Sequence, residues 1–287
     1  MSTHARKSYT SNWSDYQLID AGGGKKLERF GNVITIRPEL QAYFKSFHSF
    51  ENWCEQAHFS FHEKTSSNGE WEQHQTSHQK EWNISILGLD FLLAQTNFKH
   101  IGIFPEQMIN WEFISKKLKA TDSFLNLFAY TGIASIIARN TGATVTHVDS
   151  VKQLLTWAKS NMLRNELNDI RWIQEDALSF ALKEVKREHL YNCILMDPPA
   201  FGYGSKGEKW ILEEKLPLLI QAAYSLLAPG GCLILNTYSP KLTLNKLTVF
   251  LEKEFNTSKI EASELWMKTS TDKNLFYGNL IRAYKES

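Results

Sequence analysis

The feature that most constrains the fold is a regular alternation of strand-like and helix-like segments that begins after Pro105. Apolar runs of six or seven residues alternate with longer segments whose apolar residues recur at helical spacing. The strand-like runs are FLNLFAY (124–130), TVTHVD (144–149), IRWIQED (170–176), YNCILMD (191–197) and CLILNTY (232–238). Strands joined through helices in this way form a parallel, doubly wound α/β sheet, because crossover connections are right-handed.

The first hundred residues are built differently. They contain short runs of alternating polarity, such as VITIR (33–37) and HFSFH (58–62), with glycine-containing segments between them. This pattern is typical of a small antiparallel β unit with hairpin turns. We therefore predict two domains, a β-rich N-terminal region over 1–104 and a larger α/β domain over 105–287.

The composition limits where the protein acts and what it binds. The formal net charge is +1, from 32 Lys and Arg against 31 Asp and Glu, so any nucleic-acid surface must be local. The three cysteines, Cys54, Cys193 and Cys232, lack the spacing of a disulfide framework or a metal site. With no apolar leader and no run of about 18 apolar residues, we expect a cytoplasmic protein without a membrane partner.

Two histidine pairs have the spacing of zinc ligands on a helix. His58/His62 and His74/His78 are each separated by four positions. The first pair lies in a strand-like run, however, and the second in a polar segment without cysteine. We therefore predict no metal.

Polar residues follow the strand-like runs, at the edge where a doubly wound sheet binds its ligand. Asp149, after the second run, is suited to accept hydrogen bonds from both ribose hydroxyls of an adenosine. It could equally cap the helix that begins near Ser150. The first loop, FAYTGIAS, has the single glycine Gly132, whereas a dinucleotide pyrophosphate requires three. S-adenosylmethionine has no phosphate at that point, so the loop favours it over NAD.

The fourth strand-like run ends in Asp197-Pro198-Pro199. Because proline fixes its own φ angle and restricts the preceding residue, this segment is held extended, with its carboxylate in a defined direction. Such acceptors can align an amino-bearing planar substrate, on which Phe201 could stack. The glycines that follow, with Lys206 and Lys209, suit a loop that closes over phosphate.

These motifs resemble class I S-adenosylmethionine-dependent methyltransferases, and more narrowly the bacterial 23S ribosomal RNA large-subunit methyltransferase I-like family. The similar segments are YQLIDAGGGKKLERFGNVITIRPE (16–39), KHIGIFPEQ (99–107), LNLFAYTGIAS (125–135), THVDSVKQLLTWAKSN (146–161), WIQEDA (172–177), ILMDPPAFGYGSKGEKW (194–210) and LNTYS (235–239). The resemblance implies a Rossmann-like, seven-stranded methyltransferase sheet and a small β-rich N-terminal domain that recognises substrate.

The resemblance also implies the cofactor contacts. The methionine moiety would lie against Phe128, Ala129, Tyr130, Thr131 and Gly132, the ribose against Asp149 and Ser150, and the adenine against Asp176 and Ala177, with Gln107 as a further contact. Asp197 would lie at the reaction centre, where it would also contact the cofactor.

The chain departs from the family pattern at two points. Better-known members begin with an RNA-binding PUA domain, and the stretch before KKLERFG is too short to hold one. Members that make 5-methylcytosine carry a cysteine after the fifth strand, where this chain has Tyr238. Covalent attack by a cysteine is therefore not expected, and Tyr238 would instead shape the pocket.

We accordingly predict an S-adenosylmethionine-dependent methyltransferase that acts on an RNA base, with ribosomal RNA favoured, by direct transfer. Asp197 would orient the nucleophile through a hydrogen bond. Two alternatives stay open: a methyltransferase on a small molecule or a protein, and a catalytically silent RNA-binding assembly factor. The oligomeric state has no signature in the sequence.

Overall fold

The computed structural model describes residues 5–10, 12–65, 68–75, 79–203, 207, 209–239, 241–255 and 259–286. The Cα positions group the chain into two compact units. The first comprises Met1–Ser8, Asn110–Leu265 and Gly278–Ser287, and the second comprises Tyr9–Ile109 and Trp266–Tyr277. A division into domains between residues 104 and 105 stays a prediction.

The strands are, in chain order, β1 (Lys7–Thr10), β2 (Tyr16–Gly22), β3 (Lys25–Phe30), β4 (Val33–Pro38), β5 (Phe59–Thr65), β6 (Asn68–Gln73), β7 (Glu81–Ile86), β8 (Leu89–Ala94), β9 (Ser123–Leu127), β10 (Thr144–Asp149), β11 (Ile170–Gln174), β12 (Tyr191–Met196), β13 (Phe201–Tyr203), β14 (Lys209–Ile211), β15 (Leu227–Thr237), β16 (Ile260–Lys268) and β17 (Asn274–Tyr284). The helices are α1 (Phe50–Gln56), α2 (Met108–Lys117), α3 (Ile133–Asn140), α4 (Lys152–Arg164), α5 (Ala177–Lys186), α6 (Leu212–Leu226) and α7 (Leu244–Phe255), with a 3-10 turn at Pro105–Gln107.

The large sheet has the strand order β1-β16-β17-β15-β12-β9-β10-β11, which among the described residues makes eight strands. Strands β9, β10, β11, β12 and β15 pair in parallel, and β17 pairs antiparallel to β15. The predicted Rossmann-like α/β architecture is confirmed. Its seven strands are present, and β1 adds a short strand at one edge.

The core of the large sheet explains why the apolar runs are strands. Ile194 and Leu233, on neighbouring strands, are buried in one apolar cluster with Leu219 of α6 and Leu251 of α7. Burying each such side chain contributes roughly 1.5–3 kcal/mol. By the right-handed crossover rule, the helices after β9 and β10 lie on the opposite face.

The order of the strands reverses at β9. The chain runs from β9 to β10 and β11 on one side, then returns to β12 and β15 on the other. A crevice forms outside the carboxyl ends of the strands at such a reversal, and ligands bind there.

The second unit is a small sheet with a helix. Strands β2, β3 and β4 pair antiparallel, β4 pairs in parallel with β5, and β5 pairs antiparallel with β6. A loop and α1 make the crossover between β4 and β5, while β7 and β8 form a separate hairpin. Trp53 of α1 is buried against Leu27 and Ile36, so it fills the core. Across the described ranges, none of the helices has the length and apolarity needed to cross a bilayer.

Candidate active site at the carboxyl ends of the sheet

Four strands of the large sheet end at the same level. Val148 and Met196 both pair with Leu127, the last residue of β9. Asp149, which ends β10, pairs with Gln174, which ends β11. The segments that follow these strands therefore leave the sheet at one edge.

A cavity lies at this edge, with about 400 Å³ of empty space that opens to solvent. Six of the predicted site residues line it, namely Phe128, Asp149, Ser150, Asp176, Ala177 and Pro199. The remaining wall is formed by Val148, Glu175, Gly202, Tyr203 and Trp210. Residues from far-apart segments thus share one cavity that opens to solvent.

The loop after β9 has a backbone that few sequences adopt. Phe128 and Tyr130 both have positive φ angles, 57° and 53°, which are uncommon for residues with a side chain. Hydrogen bonds to neighbouring elements hold the loop. Ala129 N donates to Val148 O at 3.1 Å and Tyr130 N to Asp149 Oδ2 at 2.9 Å, while Asn161 Nδ2 donates to Thr131 O at 3.1 Å. Backbone strain that surrounding hydrogen bonds maintain is common at functional sites.

Gly132 joins this loop to α3, with a φ angle of 86°. A Cβ atom at this position would lie 2.8 Å from the Cβ atom of Ala158 in α4. The glycine is therefore required where the loop approaches the helix, and this requirement exists without any ligand.

Asp149 holds two loops with its carboxylate. Its Oδ2 accepts the bond from Tyr130, and its Oδ1 accepts a bond from Val151 N at 2.9 Å. Burial raises the pKa of this carboxyl above its ordinary value, while backbone N–H groups of Val151, Tyr130 and Ser150 oppose the rise. Val151 is the N-cap of α4, so the alternative of Asp149 as helix cap is wrong.

Asp176 is the N-cap of α5, and its Oδ1 accepts a hydrogen bond from Ser179 N at 2.8 Å. This bond satisfies one of the otherwise unpaired N–H groups of the first helical turn. Asp176 and Ala177 are consequently fixed at the cavity wall by the start of the helix.

Asp197 and Tyr238 come together directly after β12 and β15. The Tyr238 hydroxyl donates a hydrogen bond to the Asp197 carboxyl, whose Oδ1 is shielded from solvent. Burial raises the pKa of Asp197 to about 7, and the Tyr238 hydrogen bond opposes this rise. A carboxyl group with this pKa can accept a proton near neutral pH. Neither residue is among those that line the cavity.

The hairpin of β13 and β14 is fastened to the proline pair. Trp210 Nε1 donates a hydrogen bond to Pro199 O at 2.6 Å, and the Trp210 ring packs edge-on against Phe128 at 4.9 Å. Pro198 is buried, whereas Phe201 is exposed on the hairpin, with Lys209 Nζ 5.8 Å from its ring centroid. Lys206 lies outside the described residues.

The remaining predicted residues are distributed as follows. Ala129, Tyr130, Thr131 and Gly132 form the loop beside the cavity but do not line it. Gln107 is buried in the 3-10 turn, within the second compact unit. The roles of all these residues stay predictions.

Comparison with known proteins decides the family. The family of S-adenosylmethionine-dependent methyltransferases matches residues 51–259, more than half of the chain. The chain belongs to this family. The crystal structure of a SAM-dependent methyltransferase from Agrobacterium tumefaciens is similar to this methyltransferase with a TM-score of 0.90 and 32% identity, covering 98% of this chain and 93% of that one. The predicted membership of the class I methyltransferases and the cofactor S-adenosylmethionine are confirmed.

Ribosomal RNA large subunit methyltransferase K/L of Hahella chejuensis is 34% identical to this methyltransferase over 162 residues, which is 55% of this chain. The chain spans only 22% of that relative's length. The tRNA m1G37 methyltransferase of M. jannaschii shares the fold, with a TM-score of 0.56, 15% identity, and coverage of 88% of this chain and 70% of that one.

The cavity of the methyltransferase fits S-adenosylmethionine better than a dinucleotide. Three of its lining residues are acidic, Asp149, Glu175 and Asp176, and Glu175 forms an ion pair with Lys183. Carboxylates can accept hydrogen bonds from ribose hydroxyls and attract a sulfonium cation, whereas they repel a pyrophosphate.

Several residues that support the methyltransferase site were not predicted from the sequence. Asn126 Nδ2 donates to Ser135 Oγ at 2.9 Å, and Ser135 Oγ lies 3.0 Å from His147 Nδ1. Burial lowers the pKa of His147 to about 3, so the ring is neutral. Polar residues within the apolar runs, Asn126 in FLNLFAY and His147 in TVTHVD, are the signal that could have revealed this network. Trp210 could have been found as the one large aromatic residue at the end of the ILMDPPAFGYGSKGEKW motif.

The histidine pairs have other partners. His58 Nδ1 accepts a hydrogen bond from Ile34 N at 2.9 Å, His62 Nε2 lies 2.8 Å from Glu72 Oε2, and His74 Nε2 lies 2.7 Å from Ser60 Oγ. His78 lies outside the described residues. Within the part of the chain that the structure describes, no three His, Cys, Asp or Glu residues group as metal ligands.

Proposed function

We propose that this methyltransferase transfers a methyl group directly to a nitrogen or oxygen atom of an RNA base, in ribosomal RNA. The substrate class is supported by the 34% identity to a ribosomal RNA methyltransferase over 162 residues. The reaction class is supported by one observation above all. Asp197 follows β12 with its Oδ1 atom shielded from solvent, its carboxyl group accepts a hydrogen bond from Tyr238, and burial raises its pKa to about 7.

Each residue has a proposed task in this reaction. S-adenosylmethionine, when bound, supplies a sulfonium methyl group that is already activated. Asp197 orients the nucleophile through a hydrogen bond and accepts its proton. Pro198 and Pro199 fix the orientation of that carboxyl group by restricting the backbone. Tyr238 shapes the pocket around it, and Phe201 stacks on the substrate base.

The cofactor is held by the cavity wall and the loop beside it. Asp149 and Ser150 bind the ribose, and Asp176 and Ala177 bind the adenine. The methionine moiety lies along the loop, at Phe128, Ala129, Tyr130, Thr131 and Gly132.

We propose that no cysteine forms a covalent intermediate. Cys193 and Cys232 are buried within strands, and burial raises the pKa of Cys232 to about 12 and that of Cys193 well above its usual range. The thiolate is the nucleophilic form, so neither residue is activated for attack. A ribosomal substrate, together with three free cysteines, also favours the cytoplasm as the compartment.

Mass spectrometry of modified nucleosides tests this proposal. Ribosomal and transfer RNA from wild-type and deletion cells are digested and compared, and the deletion is complemented with the wild-type gene or with Asp197→Ala. We expect one methylated nucleoside to disappear from ribosomal RNA and to return only with the wild type. An unchanged nucleoside profile would favour a small-molecule or protein substrate. Restoration by Asp197→Ala would instead indicate a silent assembly factor or a misassigned residue.

A further inference from the structure

The loop between β4 and α1 exposes a concentration of large apolar side chains. We define the aromatic loop as residues 40–50. Leu40 is 81% exposed, Tyr43 84%, Phe47 67% and Phe50, the first residue of α1, 40%. Elsewhere in the described ranges no stretch of this length holds four exposed residues of this kind. Exposed apolar patches of this kind mark interaction sites.

Hydrogen bonds to Asp20 and Gly23 hold the backbone of the aromatic loop. The buried carboxylate of Asp20 accepts hydrogen bonds from Phe47 N at 3.3 Å and His48 N at 2.9 Å. Gly23 N donates to Phe44 O at 2.8 Å. The rings are therefore presented outward by an ordered backbone, and binding would lose little further conformational freedom there.

Two lysines lie beside aromatic rings of the loop, of which Phe50 is exposed and Phe44 is half-buried. Lys25 Nζ lies 4.0 Å from the ring centroid of Phe50, and Lys273 Nζ lies 5.8 Å from that of Phe44. Lys45 is exposed within the loop, and residues 40–50 include no acidic residue. Glu39 and Glu51 flank the loop, and Glu39 forms an ion pair with Lys26 at 3.4 Å. The loop itself is thus positively charged, although the chain has a formal net charge of only +1.

Aromatic faces interleaved with lysines are complementary to unpaired nucleic acid. Unstacked bases of single-stranded RNA stack on aromatic side chains, and lysines neutralise the phosphates between them. In a duplex the bases are already stacked and cannot use these rings. A second copy of the chain would set the lysines of one loop against those of the other, which is unfavourable.

We propose that the aromatic loop binds a single-stranded segment of RNA, stacking bases on Tyr43 and Phe47 while Lys25, Lys45 and Lys273 contact phosphates. This inference rests on the proposed RNA substrate and adds where the protein holds it. The loop contributes affinity that is tolerant of base sequence, because every base has a face that can stack.

Fluorescence anisotropy with the full-length protein and a fluorescein-labelled oligouridine tests the proposal. Tyr43→Ala and Phe47→Ala should each weaken binding by on the order of 10-fold, and Tyr43→Phe should bind as the wild type does. Leu163→Ala is the matched control, because Leu163 is also 67% exposed but lies on α4. Lys45→Ala should reduce the slope of log affinity against log salt by about 0.7. Unchanged affinity in the double variant Tyr43→Ala/Phe47→Ala would overturn the proposal.

Parallel measurements separate this inference from the proposed function. S-adenosylmethionine affinity by calorimetry and thermal midpoints should be the same in all variants, which excludes misfolding. RNA binding that depends on Tyr43 and Phe47, without any RNA methylation, would support the aromatic loop and contradict the proposed reaction. Methylation of RNA with a KM unchanged in the double variant would support the reaction and contradict the loop. A change confined to self-association, measured by sedimentation velocity, would identify a contact between copies and also contradict it.

Discussion

Tyr238 donates a hydrogen bond to the carboxyl group of Asp197. The two residues follow neighbouring parallel strands, since Met196 at the end of β12 pairs with Leu235 of β15. Burial raises the pKa of Asp197 to about 7, and the hydrogen bond opposes this rise by stabilising the charged form. The pair therefore sets the protonation of the carboxyl group that we propose as proton acceptor.

Replacing Asp197 by Asn should separate chemistry from cofactor binding. The amide keeps the shape of the side chain but cannot accept a proton, so we expect kcat to fall by about 10²–10⁴-fold. S-adenosylmethionine affinity, measured by titration calorimetry, should stay within a factor of about two, because Asp197 does not line the cavity. A loss of affinity as large as the loss of rate would instead make Asp197 a cofactor ligand.

Removing the Tyr238 hydroxyl should move the pH dependence of the reaction. Without the hydrogen bond that lowers it, the pKa of Asp197 rises further above about 7. Activity requires the ionised carboxylate, so the rising limb of log kcat/KM against pH should shift to higher pH in Tyr238→Phe. At pH values well above the limb the two enzymes should approach each other in rate. An unshifted limb would contradict the coupling between these residues.

Substituting Gly132 by Ala should damage the cofactor loop through a steric clash. Gly88 provides a matched control, because its φ angle of 80° is close to the 86° of Gly132 but nothing lies within 4 Å of an added Cβ atom. Gly88→Ala should therefore cost about 1–2 kcal/mol of unfolding free energy from backbone strain. Gly132→Ala should cost about 1–3 kcal/mol more, because the new methyl group overlaps Ala158.

The companion substitution tests the cause of that loss. Ala158→Gly in the Gly132→Ala background removes the facing methyl group and should restore part of the stability and of the S-adenosylmethionine affinity. Chemical denaturation and calorimetry measure both quantities. If Ala158→Gly restores neither, the contact with α4 is not what requires the glycine.

The five parallel strands of the large sheet were predictable because each is an apolar run that alternates with a helical segment. TVTHVD, for example, was predicted over 144–149 and forms β10 over Thr144–Asp149. The run FLNLFAY instead ends as a strand at Leu127, because Phe128 and Tyr130 adopt positive φ angles. Those angles depend on bonds to β10 and α4, which apolar periodicity along the chain does not report.

The candidate site was predictable where residues follow strands, and not where it depends on contacts across the fold. Asp149 and Asp176 were found by their positions after β10 and β11, and both line the cavity. Trp210 was not, because its bond to Pro199 O exists only after the β13–β14 hairpin forms. The sequence likewise did not predict that the Asp149 carboxylate bonds to two loops, because one of its donors, the Tyr130 amide, lies 19 positions away.

Removing the buried cysteines should leave catalysis intact. Cys193 and Cys232 lie in the strands β12 and β15, where they pair with each other in register. Because the direct transfer that we propose uses no thiolate, Cys193→Ala and Cys232→Ala should keep kcat within a few-fold, although each loses about 1 kcal/mol of packing. The measurement is methyl transfer to RNA with tritiated donor. Loss of transfer in a variant that still melts as a folded protein would reinstate covalent catalysis.

The stability of the protein should depend on pH through Asp197. Its carboxyl has a pKa raised from 3.8 to about 7 in the folded state, so folding favours the protonated form. The stabilising contribution of that form is complete below the unfolded pKa and is lost as pH rises through about 7. Asp197→Asn does not titrate at this position. The unfolding free energy of the variant minus that of the wild type should therefore increase by on the order of 4 kcal/mol between pH 4 and pH 8. Urea denaturation of both proteins across this range measures the difference, from which the titration of all other groups cancels. A difference that stays constant with pH would mean that Asp197 is already ionised in the folded protein at acidic pH.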